Sequence, residues 1–384
     1  MKKQIIFFVS IVLLIGAFFV LYSKERQGYQ LINGVNLDIA RKFYRPQAIK
    51  ELIDQIADNK GAYLQLHLSD DENVAIELEI LGQTVKNSYL KEGVHYHRET
   101  KRPFLTKGEL KDLITYANQK KVLLVADFDT PGHFTAAAEL LRIKNAKLAE
   151  QVLDGDQLAY QTRLGLRFAK ELYEELADIF RGQKAMVIGG DEFDGDQQSR
   201  NRAYVRYVNT LSHYLSKRGF VSRIWNDTVL KKDLKELDKS HLQIIYWSLN
   251  GDANDSSSEW DRQANRYRLK NRATLPELQK AGFEVINANS YYLYSIPSGK
   301  HQRQLTKDLG YEEEDMAENW SPSLWNGHTK PTVQAPDNRT HMRQIVGSLY
   351  SIWGEEADDF SDSDLIEAYK PVINQFFKQA KTEK

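Results

Sequence analysis

Short apolar runs alternate with longer stretches of helical spacing along most of the chain. Val35-Asn36-Leu37-Asp38-Ile39 reads as a strand, and Pro46 to Asp58 predicts a helix with Ile49, Leu52, Ile53 and Ile56 on one face. Ala62 to Leu68 is a second strand, ending in Ser69-Asp70-Asp71-Glu72, and Lys107 to Lys120 is helical. Val122 to Ala126 is an apolar strand that runs into Asp127-Phe128-Asp129-Thr130-Pro131-Gly132-His133. An amphipathic stretch from about Leu158 to Phe180 leads to Ala185-Met186-Val187-Ile188-Gly189-Gly190-Asp191-Glu192-Phe193. The second half keeps the rhythm. Strands over Ser222–Asp227, Leu242–Trp247, Phe283–Asn289 and Ile345–Trp353 alternate with helices over Ala203–Arg218, Leu230–Leu237, Leu275–Ala281 and Leu365–Ala380. Such alternation implies a parallel sheet, and eight units in a chain of 384 residues predict an α/β fold, a single (β/α)8 TIM barrel with insertions. The polar stretch from Asp252 to Asn271 is expected to be a loop over the barrel mouth.

In a barrel of this kind the residues that follow the strands share one face, where ligands are handled. Here they are Arg41, Asp70, His133, Asp191, Glu192, Trp225, Trp247, Tyr294 and Glu355. The pair Asp191-Glu192 is the most telling. Gly189 and Gly190 let the backbone bend and approach something closely, and no Lys or Arg in the run neutralises the two acids. Two carboxylates at the mouth of a buried strand are costly unless solvent, a metal or a substrate compensates. Pairs of this kind do chemistry when their surroundings drive the two pKa values apart. The bland alternative is a strand end with two solvated acids. Trp225, Trp247 and Trp353 fit a pocket wall or a plain core. For His133 the bland reading is a structural role at a turn, and for Asp70 and Asp129 a salt bridge at the barrel rim. Trp320 and Trp325 are expected to pack.

Composition narrows the field. A formal net charge of -1 argues against a nucleic-acid binder, and the absence of Cys excludes disulfides and zinc-thiolate sites. Lys2 and Lys3 precede an uncharged run from Ile5 to Tyr22, closed by Lys24, Glu25 and Arg26. That run suits a signal peptide or a just-spanning helix, and the bulky Phe18 to Tyr22 offers no small-x-small cleavage pattern. Residues 1–26 are therefore expected to be a signal anchor or signal peptide, with 33–384 as an exported catalytic domain, membrane-anchored at the cell surface or secreted.

Three function classes fit the central motif. Gly-Gly-Asp-Glu-Phe is also the name motif of diguanylate cyclases, but such a domain is shorter, carries the motif on a hairpin and needs phosphate-binding residues upstream. A non-catalytic glycan-binding protein is weakened by the presence of both carboxylates. The ordered set Leu37-Asp38-Ile39-Ala40-Arg41, His67-Leu68-Ser69-Asp70, Asp129-Thr130-Pro131-Gly132-His133, Gly189-Gly190-Asp191-Glu192, Trp225-Asn226-Asp227, Tyr246-Trp247-Ser248, Tyr291-Tyr292-Leu293-Tyr294 and Trp353-Gly354-Glu355 resembles glycoside hydrolase family 20, the β-N-acetylhexosaminidases. Within that family the likeness is greatest to members that degrade the poly-N-acetylglucosamine of biofilms.

The resemblance implies substrate-assisted, retaining hydrolysis, in which the substrate's own acetamide is the nucleophile. It implies Glu192 as general acid and base, with Asp191 orienting the acetamide and Tyr294 bonding its oxygen. It implies Trp225, Trp247 and Trp353 as pocket walls, Arg41 and Glu355 as binders of sugar hydroxyls, and Asp70, Asp129 and His133 as orienters of the acid. The substrate implied is an N-acetylglucosamine-containing polysaccharide, β-1,6-linked in the favoured case, with chitooligosaccharides or glycoconjugates as the alternative. Neither metal nor cofactor is expected. The chain departs from the family at Ala126-Asp127, where many members have Pro-Glu, and at Val74-Ala75, where Trp-Arg is common. It also has Asp194-Gly195 where the biofilm-degrading members offer a Tyr. Asp252, Asp255, Glu259 and Asp261 are expected to form an acidic rim that attracts a partly deacetylated, cationic polymer.

The uncleaved-anchor expectation has a direct check. Expressed at full length, the protein should stay in the membrane fraction with its N-terminus intact; a form in the medium that begins beyond Tyr22 would show a cleaved signal instead.

Overall fold

The computed structural model describes residues 31–193, 198–249, 266–299, 301–327, 339–342 and 344–381, and the chain from Ile32 onward forms one compact unit. Eight parallel strands follow one another in sequence order: β1 (Gly34–Asp38), β2 (Tyr63–Ser69), β3 (Leu123–Phe128), β4 (Ala185–Val187), β5 (Val221–Trp225), β6 (Leu242–Tyr246), β7 (Glu284–Asn287) and β8 (Ile345–Ile352). β8 pairs with β1 and closes the barrel, so the predicted TIM fold is what forms. A short strand, Tyr294–Ser295, adds alongside the end of β8.

The helices around the barrel are α1 (Pro46–Asp58), α2 (Lys107–Gln119), α3 (Thr135–Val152), α4 (Arg163–Ile179), α5 (Gln198–Ser216), α6 (Leu275–Ala281), α7 (Gln302–Asn319) and α8 (Asp362–Gln379). Local chemistry fixes their ends. Pro46 opens α1, and Thr106 with Glu109 makes a capping box on α2. Thr274 with Glu277 repeats that box on α6, which stops at Gly282 in the left-handed conformation.

Strand alternation sorts the side chains into two cores. Along β2, Leu64, Leu66 and Leu68 face the helices, while Tyr63, Gln65, His67 and Ser69 take the alternate positions. The inner cluster is small and aromatic, containing Tyr63, Val187, Trp225, Ile286, Leu349 and Trp353. Polar groups share the interior. Gln65 donates to Asp127 at 3.0 Å, and Arg223 lies 4.3 Å over the Tyr63 ring and donates to Gln243 at 3.0 Å. The register then sets Asp38, His67 and Asp127 side by side near the strand ends. A parallel barrel thus delivers titratable groups to one level of one face.

Several elements differ from expectation. Helices α3 and α7 were not anticipated: α3 presents mostly alanine to the core, and α7 buries only Leu305, Leu309 and Met316 along 18 residues. Their apolar stripes are too thin to read by periodicity. Residues 70–106 carry a three-stranded antiparallel sheet, Ser88–Lys91, Val94–His97 and Pro103–Phe104. The expected helix at Leu230–Leu237 is a 3-10 turn, Lys231–Lys235. Of the polar stretch Asp252–Asn271, residues 266–271 are helical rather than loop, and 252–265 lie outside the described residues, as do the apolar run 5–22 and Asp194-Gly195. Among the described residues no helix is long and apolar enough to cross a membrane. Trp320 packs on Phe376 and Trp325 on Tyr246, both buried.

One hydroxyl ties β3 and β4 to the helices behind them. Thr130 Oγ1 donates to the carbonyl of Ile188 at 2.9 Å and meets the hydroxyls of Tyr173 at 2.9 Å and Tyr207 at 2.7 Å. All three side chains are buried. Thr130→Val keeps the shape and strands the Tyr207 hydroxyl, so it should lower stability by about 1–3 kcal/mol in urea unfolding. An unchanged midpoint would show that the network supports nothing.

Candidate active site

The site grows from the strand ends. After β1, Asp38 accepts the amides of Ala40 and Arg41, both at 3.0 Å, and the amide of Gly354 after β8 at 3.1 Å. It thereby stitches the β1 and β8 ends together and aims Arg41. The Arg41 guanidinium meets Asp38 at 2.9 Å, Asp70 at 2.7 Å, Glu72 at 3.6 Å and Glu355 at 3.7 Å, and lies 5.5 Å from the Trp353 ring centre. Burial works against its charge, but Asp38, Asp70 and Glu355 outweigh that and raise its pKa.

Asp70 is the junction. It also accepts from His67 Nε2 at 2.8 Å and His133 Nδ1 at 3.1 Å, while His67 Nδ1 faces Asp127 at 3.1 Å. Burial pushes the Asp70 pKa up, yet the two imidazoles and their hydrogen bonds overcome it and hold the carboxyl well below the usual range. Burial opposes the charged form of His133 too, and Asp70 and Asp71 reverse it, raising that pKa far above the ordinary histidine value. His133 has a left-handed backbone, φ 46°, and its Nε2 reaches to 3.8 Å from the Glu192 carboxylate.

β4 supplies the acids. Gly189 and Gly190 have φ of 86° and 101°; a Cβ on the first would strike the Thr130 backbone, and on the second the Tyr204 hydroxyl. Gly190 N donates to Asp129 at 3.0 Å and to the Thr130 carbonyl at 2.9 Å. Glu192 follows with φ 36°, unusual for a side chain of its size and a form of strain that clusters at functional sites. Its carboxylate is about half exposed, at 54%. Burial and then the Asp227 charge raise its pKa, with His133 pulling the other way. Asp191 is more enclosed, and burial, then Asp227 and Asp129, push its pKa well up. Its Oδ1 is buried and bonds no group among the described residues. Asp129, fully buried, is pushed up to about 8 by burial.

Aromatic rings form the opposite wall. Trp225 lies 5.9 Å from Trp353, Trp353 lies 5.3 Å from Tyr294, and Tyr294 stacks on Trp247 at 6.1 Å. Asn226 fixes the next strand by donating to Ser248 O at 2.6 Å and accepting the Trp247 amide at 2.9 Å. Burial, then Glu355, raises the Tyr294 pKa, so its hydroxyl keeps its proton. Beside Glu192 a cavity of about 390 Å³ opens, with Asp71, Asp154, Asp156 and Arg200 on its walls. The acidic rim expected from Asp252, Asp255, Glu259 and Asp261 lies outside the described residues. Among the described residues, two sets of ligating atoms close enough to hold a cation both run through His133, one with Asp70 and Asp71 and one with Asp129 and Asp191.

The structure therefore brings Arg41, Asp70, His133, Asp191, Glu192, Trp225, Trp247, Tyr294, Trp353 and Glu355 to one end of the barrel. Asp129 accepts the Gly190 amide and lies within 4.8 Å of both His133 and Asp191. Sequence reasoning assigned no role to Asp38, His67, Asp127, Asp227 or Arg272. Asp38, His67 and Asp127 occupy alternate, inward strand positions, and that alternation was the available signal.

The profile of the family described as glycosyl hydrolase family 20, catalytic domain, matches residues 32–366. The chain belongs to glycosyl hydrolase family 20. The crystal structure of dispersin B superimposes with a TM-score of 0.84 at 32% identity, covering 92% of this chain and 100% of that one. The β-hexosaminidase of Vibrio furnissii is 31% identical over 84% of this chain and 52% of its own length. The probable β-hexosaminidase of Arthroderma benhamiae is 23% identical over 56% of this chain and 35% of its own length. The chain thus spans about half the length of the curated relatives it matches. A Bacteroides fragilis β-N-acetylhexosaminidase, with a TM-score of 0.59 at 19% identity, shares the fold.

The pKa directions give a stability prediction. His133, Asp129, Asp191 and Glu192 all hold protons in the fold that the unfolded chain releases earlier. The His133 contribution is complete below about pH 6.5 and is lost as pH rises past it; the three acids act in the same direction from about pH 4 upward. Stability should therefore fall between pH 6 and 9, and His133→Gln should flatten part of that fall in denaturant titrations. An unaltered slope would show that His133 releases its proton normally.

Proposed function

We propose that the protein is a β-N-acetylhexosaminidase that hydrolyses β-linked N-acetylglucosamine polymers by substrate-assisted, retaining catalysis. The observation that carries this is the adjacency of two unlike carboxyls: a half-exposed Glu192 tethered by His133, and an enclosed Asp191 with a bare Oδ1, facing an aromatic wall. Glu192 gives its proton to the glycosidic oxygen as that bond breaks. The acetamide oxygen attacks the anomeric carbon, while Asp191 accepts the acetamide N–H and Tyr294 donates to the acetamide oxygen. The resulting oxazolinium-like ring is opened by water, whose proton returns to Glu192. Trp225, Trp247 and Trp353 exclude water around the acetyl group. Arg41 and Glu355 bind hydroxyls of the sugar in the pocket.

The favoured substrate is β-1,6-linked poly-N-acetylglucosamine of biofilm matrix, a choice supported by the end-to-end likeness to dispersin B. The favoured location is outside the cytoplasmic membrane, held by the run Ile5 to Tyr22.

The test compares β-1,6-linked N-acetylglucosamine oligomers with chitin oligomers, using wild type and Glu192→Gln. Wild type should release N-acetylglucosamine and prefer the β-1,6 series, and the variant should fold yet lose about a thousandfold or more in kcat. Oligomers of glucosamine should be inert, because a free amine cannot close the ring. A preference for chitin oligomers would favour the chitooligosaccharide alternative. Full activity of the variant, or turnover of the free-amine sugar, would sink the mechanism.

A further inference from the structure

The reaction as written leaves one buried charge beside it unused. Asp227, just past β5, is 5% exposed. Its Oδ2 accepts the indole N–H of Trp247 at 2.6 Å, and its Oδ1 pairs with Arg272 Nη2 at 3.3 Å. After burial, the Asp227 carboxyl is the largest influence pushing the Asp191 pKa up. Arg272 is equally enclosed, and among the described residues Asp227 is its only ion-pair partner. The backbone there is fixed: Arg272 bridges Leu230, and the Ala273 amide donates to Val229 at 2.8 Å.

We propose that Asp227 is a positioning residue: anchored by Arg272, its carboxylate fixes the Trp247 indole, and with it the stack on Tyr294, so that the aromatic wall stays in register with the acetamide acceptor Asp191. This rests on the hydrolase reading above. A neutral alternative is that Asp227 merely pairs a buried Arg272; that role would affect folding and leave the reaction's pH dependence alone.

The geometry makes the two roles separable. A second carboxyl near Asp191 works against its ionisation. Ionised, Asp191 is the stronger acceptor of the amide N–H and offsets the positive charge that develops on the acetamide, so turnover is favoured once its proton has left. The groups facing Asp191 are Asp227 from the β5 end and Asp129 and His133 from the β3 turn, with Arg272 behind Asp227. Asp227→Asn removes one negative neighbour and leaves Asp129, His133 and Arg272 in place. The acid limb of kcat/KM should then move to lower pH by about one unit or more. At the optimum kcat should fall about 10- to 100-fold, because a misaligned orienting group loses rate more than binding.

The experiment measures kcat and KM from pH 3.5 to 8 on an aryl β-N-acetylglucosaminide for wild type, Asp227→Asn and Arg272→Lys, with melting curves alongside. Arg272→Lys keeps the charge but loses the fork; it should lower kcat about 3- to 10-fold with the acid limb in place. A folded Asp227→Asn protein with wild-type kcat and an unmoved acid limb would overturn the proposal. If that variant does not fold, unchanged kcat in Arg272→Lys would overturn it. An inactive wild type would count against the hydrolase reading itself.

Discussion

Three cationic donors converge on one buried carboxylate, and the geometry of the site follows from that. Asp70 accepts from Arg41 at 2.7 Å, His67 at 2.8 Å and His133 at 3.1 Å, from the ends of β1, β2 and β3. A lone carboxylate at 2% exposure would be neutralised by protonation. With these partners it stays charged and fixes each of them. Arg41 is thereby held beside Glu355, and His133 is held at the back of Glu192. Removing one partner would leave the others facing a poorly compensated charge, a costlier outcome than the loss of a single bond.

The same economy of charge separates the two acids of the β4 turn. Glu192 stands half exposed against a cationic imidazole, whereas Asp191 is enclosed with Asp129 and Asp227 near it and one cation, His133, opposing them. Sequence neighbours therefore differ in exposure, while burial, Asp227 and His133 act on both in the same directions. The barrel achieves this without a long-range device. Two glycines of positive φ turn the chain sharply, and Glu192 follows in the left-handed region.

Much of this was legible in the chain. Helix α1 is bounded by Pro46 and Asp58 as the spacing of Ile49, Leu52, Ile53 and Ile56 predicts, because an apolar face with a proline start leaves little freedom. The eight strands were legible for a related reason: strands covered on their outer face by helices read as apolar runs between turn residues. Alanine-rich α3 and charge-rich α7 were not legible, since tertiary packing and not a wide apolar stripe holds them. Within the site, residues next to strand ends could be named, but Asp38, His67 and Asp127 sit inside strands. Only the closed barrel and its register show that they share a level. The Asp227–Arg272 pair joins segments that no local pattern connects.

The central claim is that Asp191 serves the substrate's acetamide while Glu192 serves the glycosidic oxygen. Calorimetric titration with a thiazoline analogue of the cyclised acetamide separates those roles without turnover. The account expects tight binding to wild type, a loss of about 10- to 100-fold in Asp191→Asn, and near wild-type binding in Glu192→Gln. Equal affinity of Asp191→Asn and wild type would contradict it.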